Sequence, residues 1–162
     1  MIFREATIED IPTLFEIRLS VTENVLSDPG KVTPEMCADY LRVSGKGWLC
    51  EVEGVAVGFS VASLGDASIW ALFVRPEYEG RGVGTRLLQL ATDWLFRMGA
   101  SRINLSTDAH TRADRFYERQ GWKRGEIKPD GEVNYQLDNS RQIQQGRTAK
   151  THRRRSLPDD SD

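Results

Sequence analysis

The segment that most restricts this chain is the run from Ser68 to Leu95. It starts with an apolar stretch, Ser68 to Val74, stopped by Arg75-Pro76. Glycines follow at 80, 82 and 84, and an amphipathic repeat begins at once: Leu87, Leu88, Ala91, Trp94, Leu95 and Met98. The spacing predicts a strand buried on both faces, a turn, and a long helix closed by Gly99. Such a junction suits an anion. Glycines let backbone N–H groups approach a ligand closely, and a helix N-terminus offers unpaired N–H groups and partial positive charge.

Around this junction the chain alternates between short strands and helices. Met1–Ala6 reads as a strand. Asp10 to Val21 places Ile11, Leu14, Phe15 and Leu19 at helical spacing, with Pro12 in the first turn. Thr33-Pro34-Glu35 is a helix start, and that helix ends near Ser44-Gly45. Trp48–Glu53 and Val55–Leu64 form a hairpin about Glu53-Gly54. Arg102–Thr107 reads as a strand and Ala109–Gln120 as a helix ended by Gly121. Trp122–Ile127 and Val133–Leu137 read as strands joined through Pro129-Asp130-Gly131. The order β-α-α-β-β-β-α-β-α-β-β predicts an α/β (α+β) chain with a mixed sheet.

Composition restricts the class further. At 162 residues the chain holds one domain, expected over residues 1–138. The apolar run Ile69–Val74 is far shorter than the roughly 20 residues of a membrane helix. Acidic residues early in MIFREATIED leave no apolar signal core. Cys37 and Cys50 are isolated, which fits a reducing, cytoplasmic setting. With two histidines and two cysteines far apart, no metal is expected. Charge is uneven: residues 139–162 carry six Lys/Arg against three Asp, and the preceding body is acidic. That segment has two aliphatic residues and no aromatics, a composition that predicts a mobile basic tail. Nucleic acid is not an expected partner of an acidic body beyond tail contact through His152 to Arg155.

Two nucleotide motifs fail on the glycine turn. The P-loop needs Gly-Lys-Ser/Thr five residues after its first glycine, but Thr85 follows Gly80 at that spacing and no Lys comes next. The dinucleotide fingerprint needs glycine at 85 or 87, where Thr85 and Leu87 stand.

Val74-Arg75-Pro76-Glu77-Tyr78-Glu79-Gly80-Arg81-Gly82-Val83-Gly84 resembles instead the acyl-CoA signature of the GNAT superfamily of N-acetyltransferases, Gln/Arg-x-x-Gly-x-Gly/Ala at a strand–helix junction. Ala113-Asp114-Arg115-Phe116-Tyr117-Glu118-Arg119-Gln120-Gly121-Trp122 resembles a second segment of that family. The likeness covers about Met1 to Leu137. It implies a mixed, mostly antiparallel sheet of about seven strands flanked by about four helices, acetyl-CoA as co-substrate, and transfer to a primary amine, most simply of a small molecule. Homodimers are common in the family.

Residue by residue, the resemblance puts the pyrophosphate on Arg81, Gly82, Val83, Gly84 and Thr85, with Arg86 nearby. The pantetheine arm falls on the backbone of Phe73 and Val74, and the Val74 N–H polarises the thioester carbonyl. Tyr117 matches the tyrosine that faces the sulfur, where a phenol can hydrogen-bond or protonate the leaving thiolate. Phe116 is expected in the core. The sequence departs from the pattern at three points. Glu79 stands where Gln or Arg is usual, with Arg81 as the expected compensating cation. His110 stands where an Asn often contacts the cofactor. The strand Ser68–Val74 carries no Glu for a general base, which leaves Glu23, Asp108, Glu51 and Glu53 as candidates, Glu23 first. Trp70 belongs either to the core or to the acceptor pocket. Two other readings stay open: a catalytically quiet CoA-sensing or partner-binding module, and transfer to a protein or peptide amine.

Overall fold

The computed structural model describes residues 1–21 and 32–139. Seven strands form one sheet: β1 (Ile2–Glu5), β2 (Gly45–Val52), β3 (Val55–Ser63), β4 (Ser68–Val74), β5 (Arg102–Asp108), β6 (Lys123–Ile127) and β7 (Glu132–Asp138). Their order across the sheet is β1-β2-β3-β4-β5-β7-β6. Every neighbouring pair is antiparallel except β4 and β5. The α-helices among the described residues are α1 (Ile11–Ser20), α2 (Pro34–Arg42), α3 (Val83–Arg97) and α4 (Arg112–Arg119). This is the mostly antiparallel, helix-flanked α/β sheet expected from the sequence.

The two faces of the sheet carry separate cores. On one, Leu14 and Ile17 of α1 and Cys37 of α2 pack on Leu49, Phe59, Val61 and Ala71. On the other, Leu87, Leu88, Ala91 and Leu95 of α3 pack on Val57, Ile103 and Leu105, with Tyr117, Trp122 and Tyr135 completing the layer. The α1 stripe differs from expectation: Leu19 is exposed and Ile17 is buried. At about 100° per residue, Leu19 falls roughly 140° around the helix from Leu14 and leaves the packed face.

Local chemistry sets the helix ends. The Thr33 hydroxyl accepts from the Met36 N–H at 3.2 Å, with Pro34 at the first helical position. α3 closes at Gly99, whose φ of 107° lets the Ala100 and Gly99 N–H groups bond Leu95 and Phe96 carbonyls. Gly121 closes α4 in the same way. Met98 lies past the last turn of α3 and is exposed, outside the stripe predicted for it. α4 starts three residues later than the periodicity suggests. His110 takes a left-handed φ of 64°, and Thr111 caps the helix through its hydroxyl. β2 starts before the predicted Trp48, because its glycines permit close packing: a Cβ on Gly45 would lie 1.8 Å from the Ala62 carbonyl oxygen.

The β4 strand is not buried on both faces. Ile69 and Ala71 are buried, but Leu72, Phe73 and Val74 are only partly covered. Among the described residues, β4 and β5 share a single register pair, Ser68↔Asn104, and then diverge. A bulge opposite Val61/Ala62 leaves Trp70 as the extra residue and re-aims the strand where it parts from β5. The splay leaves the free backbone edge of residues 72–74 facing a cavity.

Candidate functional site

That cavity has a volume of about 610 Å³ and lies between the end of β4, the glycine turn and α4. Leu72, Phe73 and Val74 form its floor, and Gly82, Gly84 and Thr85 form one wall. Phe116 and Tyr117 face it from α4, and Val21 closes the α1 side.

The turn is built for close backbone approach. Gly80 and Gly82 have φ values of 76° and 86°, the left-handed region that favours glycine, and Gly82 is the residue preceding α3. The Arg86 N–H makes the first helical bond, to the Gly82 carbonyl, at 3.1 Å. The earlier N–H groups, of Val83, Gly84 and Thr85, have no acceptor within the helix, which is the general condition of a helix start. A Cβ on Gly84 would touch the Phe116 ring and a Val74 methyl at 3.6 Å, so turn, strand and α4 meet here. The Thr85 hydroxyl accepts from the Gln120 amide at 3.0 Å and ties α3 to the end of α4.

Positive charge comes from α4. Arg112, Arg115 and Arg119, spaced i, i+3, i+7, all line the cavity. The Glu79 carboxylate is paired with Arg112 at 3.1 Å. Arg81, the cation expected to offset it, stacks instead over Tyr78 at 5.1 Å. Sequence reasoning missed these arginines, although their helical spacing beside the Phe-Tyr pair is visible once α4 is placed.

Tyr117 is buried, with its ring 5.3–5.9 Å from those of Phe116, Trp122 and Tyr135. Burial pushes its hydroxyl well above the usual tyrosine range, so it is a neutral phenol. Phe116, expected in the core, is only partly buried and faces the cavity. α4 is pinned from below by Asp114. This buried carboxylate accepts from Arg124 Nε and an Arg124 terminal nitrogen at 2.9 and 2.8 Å, from the His110 N–H at 2.9 Å, and from the Tyr135 hydroxyl. Arg124 foremost holds its pKa far below the ordinary range. Burial, then the Asp114 carboxylate, pushes Tyr135 up to about 12.

Of the residues singled out by sequence, Phe73, Val74, Gly82, Gly84, Thr85 and Tyr117 surround the cavity. Val83 is buried beneath the turn, and Arg81, Arg86 and His110 are exposed and do not line the cavity. Glu23 lies outside the described residues, as do residues 140–162 of the basic tail. Among the other base candidates, Glu51 is bonded to Arg4 at 2.8 Å and Glu53 sits in the hairpin turn. Asp108 ends β5, and its carbonyl accepts from the Thr111 hydroxyl. Trp70 stacks on Tyr40 at 4.4 Å, away from the cavity. No group of three His, Cys, Asp or Glu is placed to hold a metal among the described residues, and no described helix is long and apolar enough to cross a membrane.

Several known proteins are similar to this chain in sequence or fold. An uncharacterized N-acetyltransferase of Methanocaldococcus jannaschii is 30% identical over an alignment of 90 residues, which covers 49% of this chain and 40% of that protein. The fold matches the PaiA N-acetyltransferase of Thermoplasma acidophilum, solved in complex with coenzyme A, with a TM-score of 0.73 at 18% identity. That match covers 85% of this chain and 98% of the other. A ribosomal-protein-alanine N-acetyltransferase of Brucella melitensis matches with a TM-score of 0.70 at 21% identity, over 86% of this chain and all of the other. Residues 11–122 match the model of the acetyltransferase (GNAT) family. The chain belongs to that family.

Proposed function

We propose that this protein is an N-acetyltransferase that moves an acetyl group from acetyl-CoA to the primary amine of a small molecule, by direct attack within a ternary complex. The supporting observation is the convergence, in one cavity, of an unpaired strand edge (residues 72–74), a glycine-rich helix start and a buried neutral phenol. The coenzyme A bound by the Thermoplasma neighbour favours the same ligand here. In this reading the pyrophosphate lies on the amides of residues 81–85, with Arg86 and His110 as outer contacts. With Arg112 paired to Glu79, Arg115 and Arg119 of α4 add charge that the cofactor's phosphates need. The pantetheine arm extends along Phe73 and Val74 as an added strand.

The chemistry follows from these positions. The acceptor ammonium loses a proton to a base, with Glu23 the candidate, and the free amine attacks the thioester carbonyl. The Val74 N–H stabilises the oxyanion. Collapse of the tetrahedral intermediate breaks the C–S bond, and Tyr117 donates to the departing thiolate. Its raised pKa keeps Tyr117 protonated, so it serves as a hydrogen-bond donor to the thiolate, whose conjugate thiol is the stronger acid. Residues 139–162 are assigned a docking role only for a large acceptor, and their deletion leaves small-amine kinetics unchanged.

The test is isothermal titration with acetyl-CoA, followed by an amine panel. Micromolar binding, lost in a Gly82→Glu, Gly84→Glu double variant, supports the site. No binding by folded wild-type protein refutes it. Binding without turnover of any amine or peptide points to the quiet CoA-sensing module instead.

A further inference from the structure

Arg18 lies on the last turn of α1, with its guanidinium carbon 4.5 Å from the centre of the Phe73 ring. Its Nε is buried and has no hydrogen-bond partner among the described residues. A buried guanidinium N–H without an acceptor is unfavourable, and native structures rarely leave one so. Several other described arginines are paired. Arg4 is held by Asp10 and Glu51, Arg124 by Asp114, and Arg75 by the Ala56 carbonyl with Glu16 nearby. Arg18 meets an aromatic face and has no described carboxylate within ion-pair reach.

Its position gives this cation a use. Phe73 is part of the cavity floor, and Val21, three residues after Arg18, closes the cavity on the α1 side. The glycine turn and Tyr117 belong to the opposite side of the sheet, with α3 and α4. Arg18 does not itself line the cavity; it stands behind Phe73, beside the strand where the thioester is placed and on the α1 side of the sheet. The guanidinium lies over the ring face with its Nε buried, so it is the terminal N–H groups of this half-buried side chain that a carboxylate would take.

We infer that Arg18 anchors the acceptor, and that the acceptor is a small amine carrying a carboxylate. This rests on the acetyltransferase reading above. The carboxylate docks on Arg18, and the amine reaches across Phe73 toward the thioester. Burial lowers the Arg18 pKa, but an arginine starts so high that it stays charged at neutral pH.

The test compares matched acceptors that differ only at the anion: 4-aminobutanoate against 4-aminobutanamide, and 6-aminohexanoate against its amide. Wild type, Arg18→Lys and Arg18→Gln are assayed as full chains, with acetyl-CoA affinity measured for each by titration. Wild type is expected to favour the acid about 10- to 100-fold in kcat/KM in at least one pair, the worth of a hydrogen-bonded charge. Arg18→Gln abolishes that preference and Arg18→Lys keeps part of it, while acetyl-CoA affinity stays within about twofold. Equal use of acid and amide in every pair, or a preference retained in Arg18→Gln, overturns the inference and leaves the transferase reading standing. If no amine turns over, titration of the CoA-saturated protein with the acids decides: binding that needs Arg18 supports the inference, and its absence overturns it. Failure of wild type to bind acetyl-CoA removes the transferase reading, and the inference with it.

Discussion

Replacing Asp114 with alanine should loosen the whole α4 side of the cavity. The carboxylate is 4% exposed and accepts from Arg124 twice, from Tyr135 and from the His110 N–H. Arg124 is about one-third open to water and rehydrates readily, so its lost bonds contribute little. The Tyr135 hydroxyl is fully buried; its carbonyl contact at 2.7 Å remains, but the stronger charged acceptor is gone. Removing one partner of a buried charged network costs about 3–5 kcal/mol, and the exposure of Arg124 places this site at the low end, about 3 kcal/mol. For a chain of this size that lowers Tm by about 6–12 °C. Urea unfolding of wild type, Asp114→Ala, Arg124→Ala and the double variant gives the measurement. The double variant should lose clearly less than the sum of the singles, since both remove one interaction. The pH dependence has a definite sign. The folded-state pKa is depressed, so near pH 4 and below the unfolded chain takes up a proton that the folded chain does not. The contribution is complete above the ordinary carboxylate range of about 4 and fades as pH falls toward the lower folded value. The gap in stability between wild type and Asp114→Asn should narrow over that window. A loss below about 1 kcal/mol, or a gap that widens in acid, refutes the reasoning.

Three further outcomes are expected. Tyr117→Phe should lower kcat by about 10²- to 10⁴-fold with acetyl-CoA affinity nearly unchanged, and the wild-type rate should show no ionisation from this residue up to pH 9, read from a pH profile. Arg115→Ala with Arg119→Ala should weaken acetyl-CoA binding by about 10-fold or more and flatten its dependence on salt, as titrations at two ionic strengths would show. Gly45→Ala should destabilise by at least about 1–3 kcal/mol, the usual cost of overpacking, because its Cβ would meet the Ala62 carbonyl oxygen at 1.8 Å; thermal unfolding checks this.

Much of the fold is written locally. Thr33-Pro34 starts α2, Gly99 and Gly121 stop α3 and α4, and the α3 stripe names its own buried face. These signals act over three or four residues, so they survive reading along the chain. The glycine turn belongs with them: only a Cβ-free backbone suits the left-handed turn at Gly80 and Gly82, and the helix beyond follows at once. Tyr117 stood out because its neighbours Phe116, Gly121 and Trp122 form a recognisable local pattern.

Other features exist only where distant segments meet. The apolar run Ser68–Val74 announces a buried strand, yet β4 parts from β5 after one register pair, and that divergence opens the cavity. Insertion of β7 between β5 and β6 has no local sequence mark. Glu79 looks wrong for an anion site until Arg112, 33 positions on, takes its charge. Arg18 and Phe73 are 55 positions apart, and nothing near either residue forecasts a guanidinium lying on that ring. Backbone propensity and hydrophobic period determine which elements form. Strand register, splay and the pairing of charges depend on which elements pack together, and that choice is made by burial across the whole sheet.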